Sequence, residues 1–341
     1  MTNDPSMIGQ TSDTTPMAAL QRSIRAHPWI SMSAALVAGY ALGRITSASS
    51  ARPPEMLWLP GQVKPSALDQ GSIFFVGTAT TVIHYGGFTI LTDPNFLHAG
   101  DHAHLGYGLT SARRTNPAIE IDELPPLDLC VLSHMHGDHW DRIAAARLPK
   151  ALPIVTTHEA TRTLRRQHFK APCALYPWQG ITFYKGEMWL RVTALPGRHG
   201  PGPLNGLLPA VNGHMLEWGI GAERPRFRMY ISGDTLVGEH LRSIPQRFPD
   251  IDLALLHLGG TRLFGVLLTM DDRQGVRAVR IVRPRAVVPI HYNDYTVFKS
   301  PVEAFLAAMA AELPEVRVHH LRHGDTYTFH VPAFQASAVG F

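Results

Sequence analysis

The sequence predicts an α/β fold in which two β-sheets pack face to face and helices cover their outer sides. From residue 72 onward, strand-like runs dominate both ends of this region and helical runs lie between them. The chain has 341 residues, of which 45% are hydrophobic and 17% charged, so it can bury a core of this size. Because strand-like runs occur in both halves, we expect each half to contribute one sheet.

The first half is expected to open with a β-meander. Gly86-Gly87 separates two strand-like runs and suits a tight hairpin turn, because glycine readily adopts the positive φ angles that such turns need. Asp141 is expected to cap a helix, since its side chain can accept bonds from the free N–H groups of the first turn. The predicted elements are strands at 72–76, 81–85, 88–92 and 128–132, and helices at 141–147 and 158–168.

The second half is expected to alternate strands with helices. Pro284 should end one helix, and Pro301 should begin another, because the first helical N–H has no partner that proline would remove. The predicted elements are strands at 181–184, 188–194, 214–218, 226–231, 252–256, 287–290, 316–320 and 326–330, and helices at 236–247, 271–282 and 301–311.

The strongest functional signal is His134-Met-His-Gly-Asp-His139, which directly follows a predicted strand. Imidazole and carboxylate side chains are ligands that zinc and similar metals select. His134 and His136 can point the same way from an extended segment, and Gly137 lets the backbone turn sharply before Asp138. Four ligands at this spacing cannot easily serve one ion, so the pattern indicates two ions side by side.

Three further candidate ligands follow later strand-like runs. They are His199, Asp234 and His291, each at a point where a strand runs into a loop. Functional residues often collect at such boundaries. A single His or Asp at a strand end is usually a solvated or capping residue, but three of them after the first cluster predict a dinuclear metal site.

Several motifs make the chain from Gly71 to Phe329 similar to the metallo-β-lactamase superfamily of dinuclear hydrolases. It most resembles the branch that contains N-acylphosphatidylethanolamine phospholipase D and the ascorbate-phosphate lactonases, although Thr78 stands where that branch usually carries His. The resemblance implies a four-layer αββα sandwich. The motifs that carry it are the metal cluster, Gly77-Thr-Ala-Thr80, His84-Tyr-Gly-Gly87, Ile90-Leu-Thr-Asp-Pro94, Gly233-Asp-Thr235 and Pro289-Ile-His291.

The resemblance also implies how the ligands are divided. Two neighbouring cations would lower the pKa of a shared water, making hydroxide available, and would stabilise charge on the substrate. Asp138 is also the candidate catalytic residue, orienting the nucleophile and receiving its proton. Seven N and O ligands without a thiolate suit two zinc ions per chain, with Mn²⁺ or Fe²⁺ as alternatives. The first ion would be held by His134, His136 and His199, the second by Asp138, His139 and His291, and Asp234 would bridge both.

Three residues are candidates for substrate binding. Arg198 precedes a candidate ligand, Arg113 lies on a long irregular stretch, and His257 follows a strand and could donate to a leaving group. The leading hypothesis is hydrolysis of a phosphodiester, including a phospholipid. Hydrolysis of a lactone or carboxylic ester is the alternative, and an apolar cleft would favour it. A non-catalytic metal-binding envelope protein is a further alternative.

The first 70 residues differ in composition from the domain predicted over 71–341. Residues 1–26 are rich in Thr, Ser and Pro and are predicted to be disordered, and 45–70 are interpreted as a linker. Residues 27–44 contain an uncharged run, interpreted as a membrane anchor, with a cleaved signal segment or a helix packed on the domain as alternatives. Membrane association is therefore favoured over a cytoplasmic location.

Charge and cysteine content exclude some partners. The formal net charge of +4 is too small to indicate nucleic-acid binding, so we expect a small-molecule or lipid substrate. The two cysteines, Cys130 and Cys173, are too few for a disulfide framework, and neither belongs to the ligand pattern.

Overall fold

The computed structural model describes residues 55–263 and 265–332. Within these ranges two large β-sheets lie face to face, and α-helices pack on the outer face of each sheet. The αββα sandwich predicted from the sequence is therefore confirmed. The predicted disordered segment 1–26 and the predicted anchor 27–44 lie outside the described residues. In the described part of the chain, no helix has the length and apolar character needed to cross a bilayer.

The elements are numbered here in chain order. The strands are β1 (Met56–Trp58), β2 (Gln70–Gly77), β3 (Thr80–Tyr85), β4 (Phe88–Thr92), β5 (His102–His104), β6 (Thr110–Ala112), β7 (Leu129–Val131), β8 (Ile154–Thr156), β9 (Pro172–Ala174), β10 (Gly180–Lys185), β11 (Met188–Pro196), β12 (Asn212–Ile220), β13 (Phe227–Ile231), β14 (Leu253–His257), β15 (Arg262–Leu263), β16 (Val266–Leu267), β17 (Ala286–Ile290), β18 (Arg317–Val318) and β19 (Thr326–His330). The α-helices are α1 (Arg142–Arg147), α2 (His158–Arg166), α3 (Glu239–Arg247), α4 (Asp272–Val282) and α5 (Val302–Glu312).

The first and last strands each join the sheet that is formed mainly by the other half of the chain. One sheet has the order β19-β2-β3-β4-β7-β8-β9, and the other has the order β1-β10-β11-β12-β13-β14-β17-β18. Thus β1 joins the sheet of the second half, and β19 pairs antiparallel with β2 in the sheet of the first half. Strands β5 and β6 form a separate hairpin, as do β15 and β16.

Parallel pairing brings the strand ends that carry the candidate ligands to one edge. Strands β4, β7 and β8 run parallel in one sheet, and β13, β14 and β17 run parallel in the other. Strand β11 points the same way as β13, because both are antiparallel to β12. The carboxyl ends of these strands therefore open onto neighbouring loops, and the site is assembled from loops of both sheets.

Aromatic and aliphatic side chains fill the space between the sheets. Tyr85 of β3 and Trp218 of β12 meet edge to face with ring centroids 5.3 Å apart, and both are buried. The Tyr85 hydroxyl donates to the backbone carbonyl of Leu68 at 2.8 Å, which satisfies the one polar atom of that ring. On the outer faces, α1 and α2 pack against one sheet and α3 to α5 against the other, each group around its own apolar cluster.

Most of the predicted elements are present, with ends shifted by a few residues. Gly86 and Gly87 have φ angles of +59° and +75°, as the predicted hairpin turn requires, and Asp141 caps α1 by accepting from the amide of Ala144. The sequence analysis missed β1, β8, β9 and the hairpins β5–β6 and β15–β16, because strands of two or three residues are too short to show alternation. Strand β1 lies within the predicted linker 45–70.

Candidate metal centre

Three buried imidazoles converge at the shared edge of the sheets. His134 and His136 lie in the loop after β7, and His199 lies in the loop after β11. Nδ1 of His136 is 3.0 Å from Nε2 of His134 and 3.0 Å from Nε2 of His199. The structure thus brings together the three residues predicted to hold the first ion.

The hydrogen bonds of Nδ1 in His134 and His199 determine whether Nε2 of each ring carries a hydrogen or a lone pair. Ser133 Oγ donates to Asp93 Oδ2 at 2.8 Å, and it therefore accepts from Nδ1 of His134 at 2.9 Å. Nδ1 of His199 donates to a backbone carbonyl at 3.2 Å. Nε2 of both neutral rings then carries a lone pair. The hydrogen of a neutral His136 could satisfy only one of them, so the arrangement of the three nitrogens suits a shared cation.

Two carboxylates and two imidazoles form a second cluster beside the first. Asp138 and His139 complete the loop after β7, Asp234 follows β13, and His291 follows β17. Nε2 of His139 is 3.4 Å from Oδ2 of Asp234, and Nε2 of His291 is 3.3 Å from Oδ2 of Asp138. All four side chains are buried. With His134 only 4.2 Å from His139 between ring centroids, all the predicted ligands lie in two adjacent groups.

Burial and mutual charge set the protonation of these groups. Burial opposes ionisation of Asp234, but the neighbouring imidazoles, that of His291 foremost, hold its pKa well below the usual value. Burial would also lower the pKa of His139, yet the surrounding carboxylates raise it well above the usual value. Burial lowers the pKa of His136 to about 3. A metal ion can therefore replace the proton that His139 carries on Nε2, near the carboxylates of Asp138 and Asp234.

Several buried polar atoms of the centre have no hydrogen-bond partner among the described residues. Buried polar atoms in native proteins are nearly all hydrogen-bonded, so such a concentration of atoms without a hydrogen bond suits a bound ion. The donors are nitrogen and oxygen without a thiolate, a set that zinc, manganese and iron accept. The residues therefore fit a metal-binding role. The unpaired atoms are Nε2 of His136, Oδ1 of Asp138, Nε2 of His139, Oδ1 of Asp234 and Nδ1 of His291.

Asp93, just after β4, contacts residues of the centre on the side away from the cavity. Its Oδ1 accepts from the amide of Ser133 at 2.6 Å, and its Oδ2 lies 2.9 Å from Nδ1 of His139 and 3.3 Å from Nε2 of His257. The side chain is buried, with 2% exposed. The sequence analysis quoted Asp93 only as part of a motif and gave it no role. The available signal was its place at a strand end, the same position that the candidate ligands occupy.

A cavity of about 120 Å³ opens onto both clusters. Its floor is formed by four candidate ligands, and its walls come from the two hairpins, the loop after β11 and the segment before α5. Arg262 lies in the wall, and its guanidinium pairs with Asp271 at 3.0 Å. In the described part of the lining, no other Arg or Lys is present. The floor is His136, Asp138, His199 and Asp234, and the described wall residues are Leu105, Tyr107, Leu109, Thr110, Leu208, Thr261, Arg262, Leu263, Leu268 and Val297.

The three residues predicted to bind substrate are not among the described residues that line this cavity. Arg113 is 2% exposed, and its guanidinium donates to two backbone carbonyls at 3.0 Å each. His257 is fully buried, with Nε2 facing Asp93. Arg198 is exposed. Arg113 and His257 therefore contact protein groups behind the centre.

The fold and the centre together define a metal-dependent hydrolase of the metallo-β-lactamase fold. The family model described as "Beta-lactamase superfamily domain" matches residues 80–292, which is more than half of the chain. The chain belongs to this superfamily, as its motifs implied.

Individual relatives agree with this assignment. A UPF0173 metal-dependent hydrolase from Thermus thermophilus is 29% identical over 254 residues, which make up 74% of this chain and 96% of the relative. An isothiocyanate hydrolase from Delia radicum gut bacteria shares the fold with a TM-score of 0.64 at 20% identity, covering 76% of this chain and 100% of that one. A metallo hydrolase from Ignicoccus hospitalis has a TM-score of 0.57 at 19% identity, covering 77% and 100%.

Proposed function

We propose that the chain is a dinuclear metal hydrolase of a lactone or carboxylic ester with a small apolar substituent. The observation that carries this proposal is the cavity, whose floor consists of candidate ligands and whose described wall residues are half leucine. Leucine walls suit an uncharged substrate, whereas a phosphate anion is usually held by an unpaired cationic side chain.

Two groups of side chains would hold the two ions, with Asp234 between them. When bound, the ions would supply Lewis acidity and a water of lowered pKa. Zinc is the proposed metal because the donors are imidazoles and carboxylates, and Mn²⁺ or Fe²⁺ is the alternative. The first group is His134, His136 and His199, the second is Asp138, His139, Asp234 and His291, and Asp234 is the member proposed to be shared.

Asp138 is the proposed catalytic proton acceptor. Its Oδ2 lies 3.3 Å from Nε2 of His291, while its Oδ1 has no protein partner among the described residues, and the side chain lies on the cavity floor. Burial favours the neutral acid, but His139 and His291 outweigh burial and lower the pKa of Asp138. A carboxylate ionised at neutral pH in this position can orient an attacking water and take its proton.

Phosphodiester hydrolysis, the leading hypothesis from the sequence, is the second candidate. The same pair of ions could stabilise charge on a phosphoryl group, and leucine walls could hold an acyl chain. Arg262 counts against it, because this arginine of the cavity wall is already paired with Asp271. A purely structural metal site is less well supported, since such sites are usually closed, whereas this one faces a cavity.

The proposal is tested with the full chain loaded with zinc. Turnover of p-nitrophenyl butyrate and of a short-chain lactone is compared with turnover of bis(p-nitrophenyl) phosphate, beside His136→Ala as a control for contaminating activity. We expect kcat/KM for the ester or the lactone to exceed that for the phosphodiester by at least about tenfold, a difference of ~1.4 kcal/mol. The reverse order would assign the site to phosphodiesters.

A further inference from the structure

The tip of the β5–β6 hairpin lies at the mouth of the cavity. Tyr107 occupies this tip between Gly106 and Gly108, and all three residues have positive φ angles. The Tyr107 φ of +51° is strained for a residue with a side chain. Such strain persists where surrounding contacts hold it, and it often marks a functional position.

A hydrogen bond from Tyr107 joins two walls of the cavity. Its hydroxyl donates to the backbone carbonyl of Leu207, which follows the 3-10 helix Gly202–Gly206. Tyr107 and Leu208 both line the cavity, one from each wall. Tyr107 is 62% exposed and Leu208 only 8%. The bond therefore lies on the solvent side of the cavity, where a substrate must enter.

The base of this hairpin is fixed to the loop of candidate ligands. The amide of Gly137 donates to the backbone carbonyl of His104 at 2.8 Å. A Cβ atom at Gly137 would lie 2.5 Å from the His104 nitrogen, so the close approach requires glycine. The loop that carries His136 and Asp138 thus sets the position of the hairpin.

We propose that Tyr107 is a specificity-determining residue, which closes the cavity mouth through its bond to Leu207 and limits the length of the substrate's apolar substituent. The cavity of about 120 Å³ is small beside the roughly 300–1,000 Å³ of typical ligand pockets. Each buried methylene raises affinity about fourfold. Affinity should therefore rise with chain length until the chain reaches Tyr107. The inference rests on the proposed function only in assuming that the substrate enters this cavity.

The test compares Tyr107→Phe and Tyr107→Ala with Tyr176→Phe, a control at a tyrosine that is 47% exposed and absent from the described lining. Calorimetry on the zinc-loaded full chain measures binding of straight-chain hydroxamic acids from acetyl to decanoyl, beside kcat/KM for p-nitrophenyl esters of the same lengths. Wild type and Tyr176→Phe should gain about fourfold per methylene for short chains and then level off. Both Tyr107 variants should continue to gain, favouring octanoyl over butanoyl at least about tenfold more than wild type does, with unchanged zinc content.

Two results would overturn the inference. Unchanged length profiles in both Tyr107 variants would show that the residue sets no limit. A wild-type profile in Tyr107→Phe with a relaxed profile in Tyr107→Ala would show that the ring, not the hydrogen bond, sets it. If wild type hydrolyses no ester but the hydroxamate profiles still shift in both Tyr107 variants, the proposed ester substrate is wrong and the inference on Tyr107 stands.

Discussion

Oδ2 of Asp93 lies 2.9 Å from Nδ1 of His139. The same carboxylate binds the amide and the hydroxyl of Ser133 at 2.6 and 2.8 Å, so it ties the end of β4 to the loop of candidate ligands. Because the hydrogen on Nδ1 of His139 points at Asp93, Nε2 of His139 faces the second cluster. Asp93, which is not a candidate ligand, thus orients His139 so that Nε2 is the atom available to a metal ion.

Asp93→Asn should weaken metal binding without removing a ligand. The amide group cannot accept from both Ser133 and His139 as the carboxylate does, so the His139 ring loses its fixed orientation. We expect zinc affinity to fall about 10- to 100-fold, measured by competition with a chelator. Asp250→Asn, at an aspartate that is 73% exposed, should bind zinc as wild type does. An unchanged affinity in Asp93→Asn would refute the supporting role.

Asp138→Ala and His139→Ala should each abolish turnover and leave the fold largely intact. Both side chains lie in a loop at the sheet edge, outside the packed cores between the layers. We expect kcat to fall at least about 100-fold in either variant, because Asp138→Ala removes the proposed proton acceptor and His139→Ala removes a proposed ligand of the second ion. Circular dichroism of the zinc-free proteins checks the fold. Near-normal activity in either variant would contradict the assignment of the second ion.

Arg113→Met should lower stability without changing substrate affinity. The buried guanidinium of Arg113 loses charged hydrogen bonds to backbone carbonyls and to Asn95, which should cost about 3 kcal/mol in the free energy of unfolding. Arg198→Ala, at an exposed arginine, should change stability little. Urea denaturation measures the first quantity and KM the second. Wild-type stability with a raised KM in Arg113→Met would instead support the substrate-binding role predicted from the sequence.

His214 should make stability depend on pH. This β12 residue is fully buried, both its ring nitrogens lack a partner in the described part of the chain, and burial lowers its pKa to about 4. In the unfolded chain the His214 ring is protonated as the pH falls below about 6.5, whereas in the folded chain it is protonated only near pH 4. The free energy of unfolding therefore falls as pH drops through this window, by up to about 3 kcal/mol from this residue.

His214→Leu should remove that part of the pH dependence, because leucine does not titrate. Urea denaturation at several values between about pH 7 and about pH 4 gives the slope. His330→Gln, at an exposed histidine, should keep the wild-type slope. A slope in His214→Leu equal to that of wild type would show that the folded and unfolded chains bind this proton equally, so that burial does not lower the pKa of His214.

The sequence predicted the parts of the centre that local patterns encode. His134 to His139 stand in one short run, and His199, Asp234 and His291 each end a strand-like segment, so their residue types and positions could be recognised without a structure. Long-range geometry could not be recognised in this way. Nothing near Arg113 in the sequence shows that its guanidinium would be buried against Asn95, and nothing near His257 shows that it would face Asp93, 164 positions away.

The hairpins around the cavity were missed for a related reason. The β5–β6 strands are three residues each, and what holds them in place is the contact between His104 and Gly137, far along the chain. Tyr107 therefore looked like an ordinary loop residue. The sandwich itself could be predicted because its longer strands carry alternation and because the chain resembles a known superfamily.

The central claim is that the two clusters hold two catalytic ions. The most direct test is metal content by mass spectrometry for the zinc-reconstituted full chain, His136→Ala and His139→Ala, with ester turnover measured on the same samples. The account predicts about two zinc ions per wild-type chain, a loss of about one in each variant, and turnover only in wild type. Wild-type protein that binds no metal after reconstitution, or that turns over equally well without it, would contradict the account.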